Sequence, residues 1–183
     1  MPAILPPGIT IRLAAPGDAA LLLDVMLRCW TGTVALDSSA YRETEADIVG
    51  QLGRGGGALV FSGDVFSGDV FSGDGFSGDA AIGGGRFHPV AGPTGDPREW
   101  VEIKRVGVLK SWRKHGLAIP LIAALEAEAV QRGHAGAQLG VRADQPRLIA
   151  FWLALGYALA DDVQMHTVNP LTPPPITMRK RFG

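Results

Sequence analysis

From Trp100 to Leu159 the sequence switches repeatedly between two periodicities, and that alternation limits the folds open to it more than any other feature. Between Trp100 and Leu109, apolar residues at Val101, Ile103, Val106 and Val108 describe a strand whose side chains alternate between two faces. Leu117 to Arg132 is rich in alanine and leucine, with Leu121, Leu125 and Ala129 on one helical face and Gly133 as the stop. Pro120 falls in the first turn of that helix, where its missing N–H has no intrahelical partner to lose. Ala137 to Val141 reads as a strand, Asp144 as the cap of a helix with Pro146 in its first turn, Gly156 as that helix's end, and Tyr157 to Leu159 as a strand. The order is strand, helix, strand, helix, strand. A last strand is expected from Ile176 to Arg181, after the proline-rich connection from Asn169 to Pro175.

The N-terminal half begins with a strand, Ile9 to Leu13, stopped by Pro16-Gly17. Asp18 is the expected cap of a helix in which Leu22, Val25, Met26, Cys29 and Trp30 share one buried stripe. Cys29 is therefore expected in the core, with nothing near it in sequence to stabilise a thiolate. A second helix is expected from Thr44 to Leu52, opened by a Thr44–Asp47 capping box, with Ile48, Val49 and Leu52 facing inward.

Residues 61–79 carry Phe-Ser-Gly-Asp four times with a period of five. An odd period throws successive phenylalanines to opposite faces of a strand, so the array cannot be one half-buried strand, and Ser-Gly-Asp is turn chemistry. Removing three units joins Leu59 to Asp64 directly to Ala80-Ala81-Ile82-Gly83, an ordinary hairpin. The repeat is expected to be a low-complexity extension of that hairpin's turn. A phenylalanine left in water forgoes about 1.5 to 3 kcal/mol of burial, so docking of these rings on the body or on a second subunit, a homodimer, stays open.

A chain of 183 residues points to a single domain. With 17 basic and 18 acidic residues it lacks the basic excess of a dedicated nucleic-acid or anionic-membrane binder. Cys29 is the only cysteine, so no intrachain disulfide or multi-cysteine zinc site can form. Histidines 88, 134 and 166 show no ligand spacing, and no metal is expected. Met1 to Pro7 has no basic leader region and no run of about 18 apolar residues occurs, so a cytoplasmic location without a membrane partner is expected.

The chemistry is expected at Arg113-Lys114-His115-Gly116-Leu117-Ala118, between strand and helix. The first amides of a helix lack internal partners and carry the positive end of its dipole, so a loop folded over them can cradle phosphate oxygens. Gly116 allows close approach, and Arg113, Lys114 and His115 add charge. A solvated basic loop is the alternative. A dinucleotide site would need a three-glycine turn after a first strand, and a Walker lysine loop is absent.

Arg113-x-x-Gly116-x-Ala118 resembles the Arg/Gln-x-x-Gly-x-Gly/Ala signature of the GCN5-related N-acetyltransferases. The strand from Val101 to Val108 is similar to the Glu-Ile-Lys-Arg strand that precedes it there, and Gln145, Phe151-Trp152 and Gly156-Tyr157 resemble the family's Asn, Phe-Tyr and Gly-Phe pattern. The resemblance implies an α/β (α+β) fold with a mixed, mostly antiparallel sheet of about six or seven strands, about four flanking helices and a splayed central parallel pair. It implies acetyl-CoA as co-substrate, in the opening between the strands at Val101 to Leu109 and Ala137 to Val141. Val106 and Val108 would offer backbone hydrogen bonds to the pantetheine arm, residues 113–118 would hold the pyrophosphate, and Gln145 would keep an amide near the cofactor.

The activity so implied is transfer of an acetyl group to a primary amine of a small molecule or peptide by direct attack. A lysine-like amine, with a pKa near 10.4, must be deprotonated at a cost of about 5 kcal/mol at pH 7, so a base helps. Glu102, eleven residues before Arg113, has the spacing of the family's catalytic glutamate; its alternative is pairing with Lys104 on an exposed strand face. Tyr41, with Asp37, Ser38 and Ser39, lies where the family's first two helices line the acceptor pocket. Trp152 stands where the family carries a tyrosine acid, and an indole cannot protonate a thiolate. Tyr157 is expected to be packed. The missing tyrosine keeps a noncatalytic acyl-CoA-binding or sensing module as the alternative.

Overall fold

The computed structural model describes residues 5–62, 80–166 and 169–183. Seven strands form one sheet: β1 (Ile9–Ala14), β2 (Gly56–Ser62), β3 (Ala80–Ala91), β4 (Glu99–Val108), β5 (Gly136–Val141), β6 (Ala158–Leu159) and β7 (Ile176–Arg181), in the order β1-β2-β3-β4-β5-β7-β6. Every neighbouring pair is antiparallel except β4 and β5. Four α-helices accompany it: α1 (Ala19–Trp30), α2 (Glu45–Arg54), α3 (Ala118–Gln131) and α4 (Pro146–Ala154). The architecture is the mixed, mostly antiparallel one expected, with a single parallel pair at its centre.

The helices form where the sequence places them. Leu22, Val25, Met26 and Cys29 line the buried side of α1, and Leu121, Leu125 and Ala129 that of α3. The Thr44–Asp47 capping box opens α2: Thr44 Oγ1 accepts from Asp47 N–H at 3.2 Å, and Asp47 Oδ2 accepts from Thr44 N–H at 2.9 Å. Three local expectations are corrected. Val49 is 41% exposed rather than inward, because α2 rests on the sheet through Ile48 and Leu52 alone. Asp18 caps the short turn before α1, accepting from Ala15 N–H at 2.8 Å and pairing with Arg12, and makes no cap bond to α1 itself. Asp144 binds Arg142 instead of capping α4, whose N-cap position is Gln145.

β2 and β3 are antiparallel neighbours on either side of the repeat, with Ser62 opposite Ala80 and Phe61 opposite Ala81. The repeat from residue 63 to 79, with its expected turns and phenylalanine docking, lies outside the described residues. β3 runs past the expected hairpin to Ala91, and it carries Pro89 beyond Phe87, its last partner on β2, where a missing N–H breaks no ladder with that strand. Among the described residues no helix is long and apolar enough to cross a membrane.

The central junction is held by close packing at Gly136. A Cβ there would lie 2.6 Å from both the Trp100 ring and the Lys180 carbonyl oxygen. Trp100 is fixed in turn by its indole N–H, which donates to Asp96 at 3.2 Å. Gly136→Ala is expected to destabilise the protein by about 1 to 3 kcal/mol through overpacking, read as a lower urea midpoint; an unchanged midpoint would contradict this packing.

Candidate functional site

Among the described residues the parallel ladder of β4 and β5 registers two pairs: Val101 opposes Ala137, and Glu102 opposes Gln138. Beyond them the strands part, while β5 stays paired with β7 along its other edge up to Val141. Glu102 therefore stands at the apex of a V, and Val106 and Val108 lie along its open β4 arm. That arm bends at a bulge: Gly84 opposes Gly107 and Arg86 opposes Lys104, leaving Arg105 and Val106 facing Gly85 alone. Arg105 sits at φ +58°, a left-handed conformation uncommon for arginine. Its guanidinium is tied on both sides, donating to Glu43 and to Ser39 Oγ, each at 2.9 Å.

At the mouth of the V lies the loop 113–117. Lys114 and Gly116 adopt φ +71° and +74°, turning the chain tightly into α3. The first hydrogen bond of this turn is Leu121 N–H to Leu117 C=O at 3.2 Å, and among the described residues no amide from Lys114 to Ile119 donates to a backbone carbonyl. Leu117 is buried and anchors the turn, Ala118 begins the helix, and Lys114 and His115 are exposed. Arg113 faces elsewhere: its Nε donates to the Val108 carbonyl at 3.2 Å and its Nη2 to the Cys29 carbonyl at 3.0 Å. It ties the loop to the ends of β4 and α1. His115 Nδ1 lies 3.1 Å from the Arg113 carbonyl oxygen. Gln145, half-buried, heads α4 just after β5, and its side chain caps nothing.

A buried polar layer covers one face of the sheet around Glu102. Cross-strand register puts Arg86 and His88 of β3, Glu102 and Lys104 of β4 and Gln138 of β5 on that face. The alternating residues Phe87, Val101, Ile103, Ala137 and Leu139 belong to the apolar core with α3. Glu102 is 1% exposed, and its Oε2 accepts from His166 N–H at 2.8 Å. It is not a residue of an exposed strand face. Gln138 Nε2 donates to the Gln164 carbonyl at 2.9 Å, so residues 164–166 lie over the apex.

Glu43 is the centre of the layer's ion cluster. Its carboxylate accepts from Arg86 and Arg105, with Lys104 Nζ at 4.0 Å, while Arg86 Nε also donates to Gln51 at 2.7 Å. Burial pushes the Glu43 carboxyl up, and the two guanidiniums outweigh that and hold it below its ordinary 4.5. Tyr41 donates its phenol to the Val34 carbonyl at 3.1 Å, and Arg42 donates to Asn169 at 2.8 Å. Sequence reasoning found Glu102 and missed Glu43, Arg86, His88, Lys104, Arg105 and Gln138. The legible signal was polar residues two apart, Arg86/His88 and Glu102/Lys104, in strands otherwise apolar.

Three other groups are accounted for. Cys29 is buried, which pushes its thiol up to about 11 and keeps it protonated at neutral pH. Trp152 packs edge-on against Tyr157 with ring centroids 5.0 Å apart. Tyr157 donates to Glu126 at 2.9 Å, and burial, with that carboxylate, drives its pKa upward.

Glu43→Gln removes the carboxylate that Arg86 and Arg105 share in a buried layer and is expected to cost about 3 to 5 kcal/mol, measured by urea unfolding at pH 7.5. Acidification has a determined sign here. Burial, then the positive charges of Lys104, His166, Arg86 and Arg54, lower the His88 pKa from 6.5 to about 3, so the unfolded chain binds its proton first and stability falls below pH 6.5. Glu43 stabilises fully above pH 4.5 and loses that contribution as the pH falls through its lower folded value. Unfolding midpoints are therefore expected to drop from pH 7 to pH 4, in two stages; a flat profile would refute this assignment.

The profile of the acetyltransferase (GNAT) family matches residues 61–157. No curated protein matches the sequence significantly. Among solved structures, an acetyltransferase from Streptococcus agalactiae superposes with a TM-score of 0.68 at 14% identity, covering 96% of this chain and 99% of that one. YncA from Salmonella typhimurium, solved with its cofactor acetyl-CoA, gives 0.63 at 17% identity over 94% and 93%. Naa50 from Arabidopsis thaliana, in complex with the bisubstrate analogue CoA-Ac-MVNAL, gives 0.59 at 16% identity over 96% and 99%.

Proposed function

This chain belongs to the acetyltransferase (GNAT) family, and from that premise we propose that it moves an acetyl group from acetyl-CoA to a primary amine of a small molecule or peptide by direct attack. The observation that carries this reading is the parting of β4 and β5 immediately after Glu102 and Gln138, beneath a turn whose amides face no backbone partner. That geometry fits an extended thioester carrier, with its pantetheine arm along Val106 and Val108. The pyrophosphate would lie over the amides of Lys114, His115, Gly116, Leu117 and Ala118, where the helix dipole favours negative charge. Lys114 adds charge and Gln145 an amide. Arg113 acts as the brace that holds the turn. Binding of acetyl-CoA in YncA supports the same use of the opening here.

Glu102 is the proposed base. The amine nitrogen bonds to the thioester carbonyl carbon, the carbon–sulfur bond breaks with its electron pair going to sulfur, and the nitrogen's proton passes to the Glu102 carboxylate. A thiol of pKa near that of cysteine, about 8.5, can leave as thiolate, so a tyrosine acid in place of Trp152 is dispensable. An acetyl-enzyme through Cys29 is disfavoured by its burial as a thiol. Tyr41 and the wall at residues 37–43 would border the acceptor. The proposed unit is one cytoplasmic acetyltransferase domain with the repeat at 61–79 as an insertion.

Calorimetry with CoA and acetyl-CoA is expected to give binding, and its absence at millimolar ligand would refute the reading. Thiol release with a panel of amino acids, polyamines, aminoglycosides and peptides then finds the acceptor; binding without release from any amine would favour the noncatalytic module. Glu102→Gln is expected to lower turnover by about 10²-fold or more with CoA affinity retained. Equal loss of both would assign Glu102 a structural role.

A further inference from the structure

Directly across the β3–β4 ladder from Glu102 stands His88. It is 4% exposed, and among the described residues neither of its ring nitrogens has a hydrogen-bond partner. A neutral imidazole carries one N–H donor and one lone-pair acceptor, and buried polar atoms are nearly always paired, with protein or with ordered water. Two orphaned nitrogens on one ring, next to a buried carboxylate, mark a place built for a small polar guest. The ring is held in place from outside by His166, whose ring centroid lies 4.1 Å away at 64° and which itself reaches solvent. The same residue's N–H binds Glu102. His88, Glu102 and residue 166 thus meet at the apex of the V.

The charges around the ring decide how it can act. Lys104 of β4, Arg86 of β3, Arg54 of α2 and His166 of the 164–166 segment all oppose a second proton on it, and Glu102 is the acidic group facing it. The imidazole is neutral wherever the enzyme would work, so it offers a fixed donor and acceptor rather than a carrier of charge.

We propose that His88 is a positioning residue that holds a buried water against the Glu102 carboxylate, and that this water is the route by which the acceptor's proton reaches Glu102. This rests on the reading of Glu102 as the base. One ring nitrogen binds the water and orients it, the water donates to the carboxylate, and the proton leaving the attacking nitrogen passes to the water as the water's own proton passes to Glu102. No net charge accumulates on His88.

The test uses the full chain, the best acceptor of the amine panel and two variants. His88→Phe keeps ring volume and removes both nitrogens, and is expected to lower kcat at least tenfold. CoA affinity and the KM for the amine should stay unchanged. His88→Asn restores a donor and an acceptor and is expected to recover most of kcat. A high-resolution crystal structure of the unsubstituted protein should show a water within hydrogen-bond distance of both the His88 ring and Glu102, and this reading stands even if His88→Phe does not fold. Wild-type kcat in His88→Phe, no recovery in a folded His88→Asn, or a ring bonded directly to protein with no water between would each overturn the proposal. Full turnover in Glu102→Gln would sink the base assignment itself, whereas an impaired Glu102→Gln beside an unaffected His88→Phe removes only the role given to His88.

Discussion

The structure depends on one short contact: among the described residues the parallel ladder of β4 and β5 registers only Val101 with Ala137 and Glu102 with Gln138, preceded by the bond from Ala135 N–H to the Glu99 carbonyl. Parallel strands that continued side by side would satisfy one another's amides and carbonyls and close the sheet. By parting after two residues they leave an opening whose floor is the Glu102–Gln138 pair. β5 can afford to diverge because β7 pairs with it over its whole length, from Gly136–Arg181 to Val141–Ile176. β4 is kept in place by β3, and its bulge at Arg105 bends it away.

The bulge and the helical side of the molecule are held as one unit. Arg105 reaches Glu43 and Ser39, Arg86 reaches Glu43 and Gln51, and the segment between α1 and α2 is thereby locked to the arm of the V. A buried carboxylate among three cations is a costly device if stability were its only purpose, since an apolar layer of equal volume would serve as well. Its consequence here is geometric: it fixes the strained backbone of Arg105 and the segment from Ser39 to Glu43 relative to the sheet. Arg113 does the same at the other end, joining the turn before α3 to Val108 and Cys29.

Much of this was legible one segment at a time. The stripe of Leu22, Val25, Met26 and Cys29, the Thr44–Asp47 capping box and the stops at Gly133 and Gly156 are local features, and the structure reproduces them because helix geometry couples residues three and four apart, while Trp30, expected on the same stripe, is only half-buried. The strand β7 appears at the expected residues, Ile176–Arg181. Asp18 and Asp144 were misplaced by a similar local logic: each had an arginine at hand, Arg12 or Arg142, and an ion pair drew the carboxylate away from the helix end. Glu43 illustrates the opposite case, since its partners Arg86 and Arg105 lie 43 and 62 residues away.

The sequence by itself determined the succession of strands and helices, the turn at Gly116 that opens α3, and the position of a carboxylate at residue 102, because each rests on periodicity or on contacts within a few residues. Only the tertiary structure decided that β4 and β5 separate just past that carboxylate, that Arg113 braces the turn, and that His88 faces Glu102 with both nitrogens unpaired among the described residues. Those outcomes come from register between strands distant in the chain. Side-chain alternation can say which face a residue takes, but not which residue of another strand will stand opposite it.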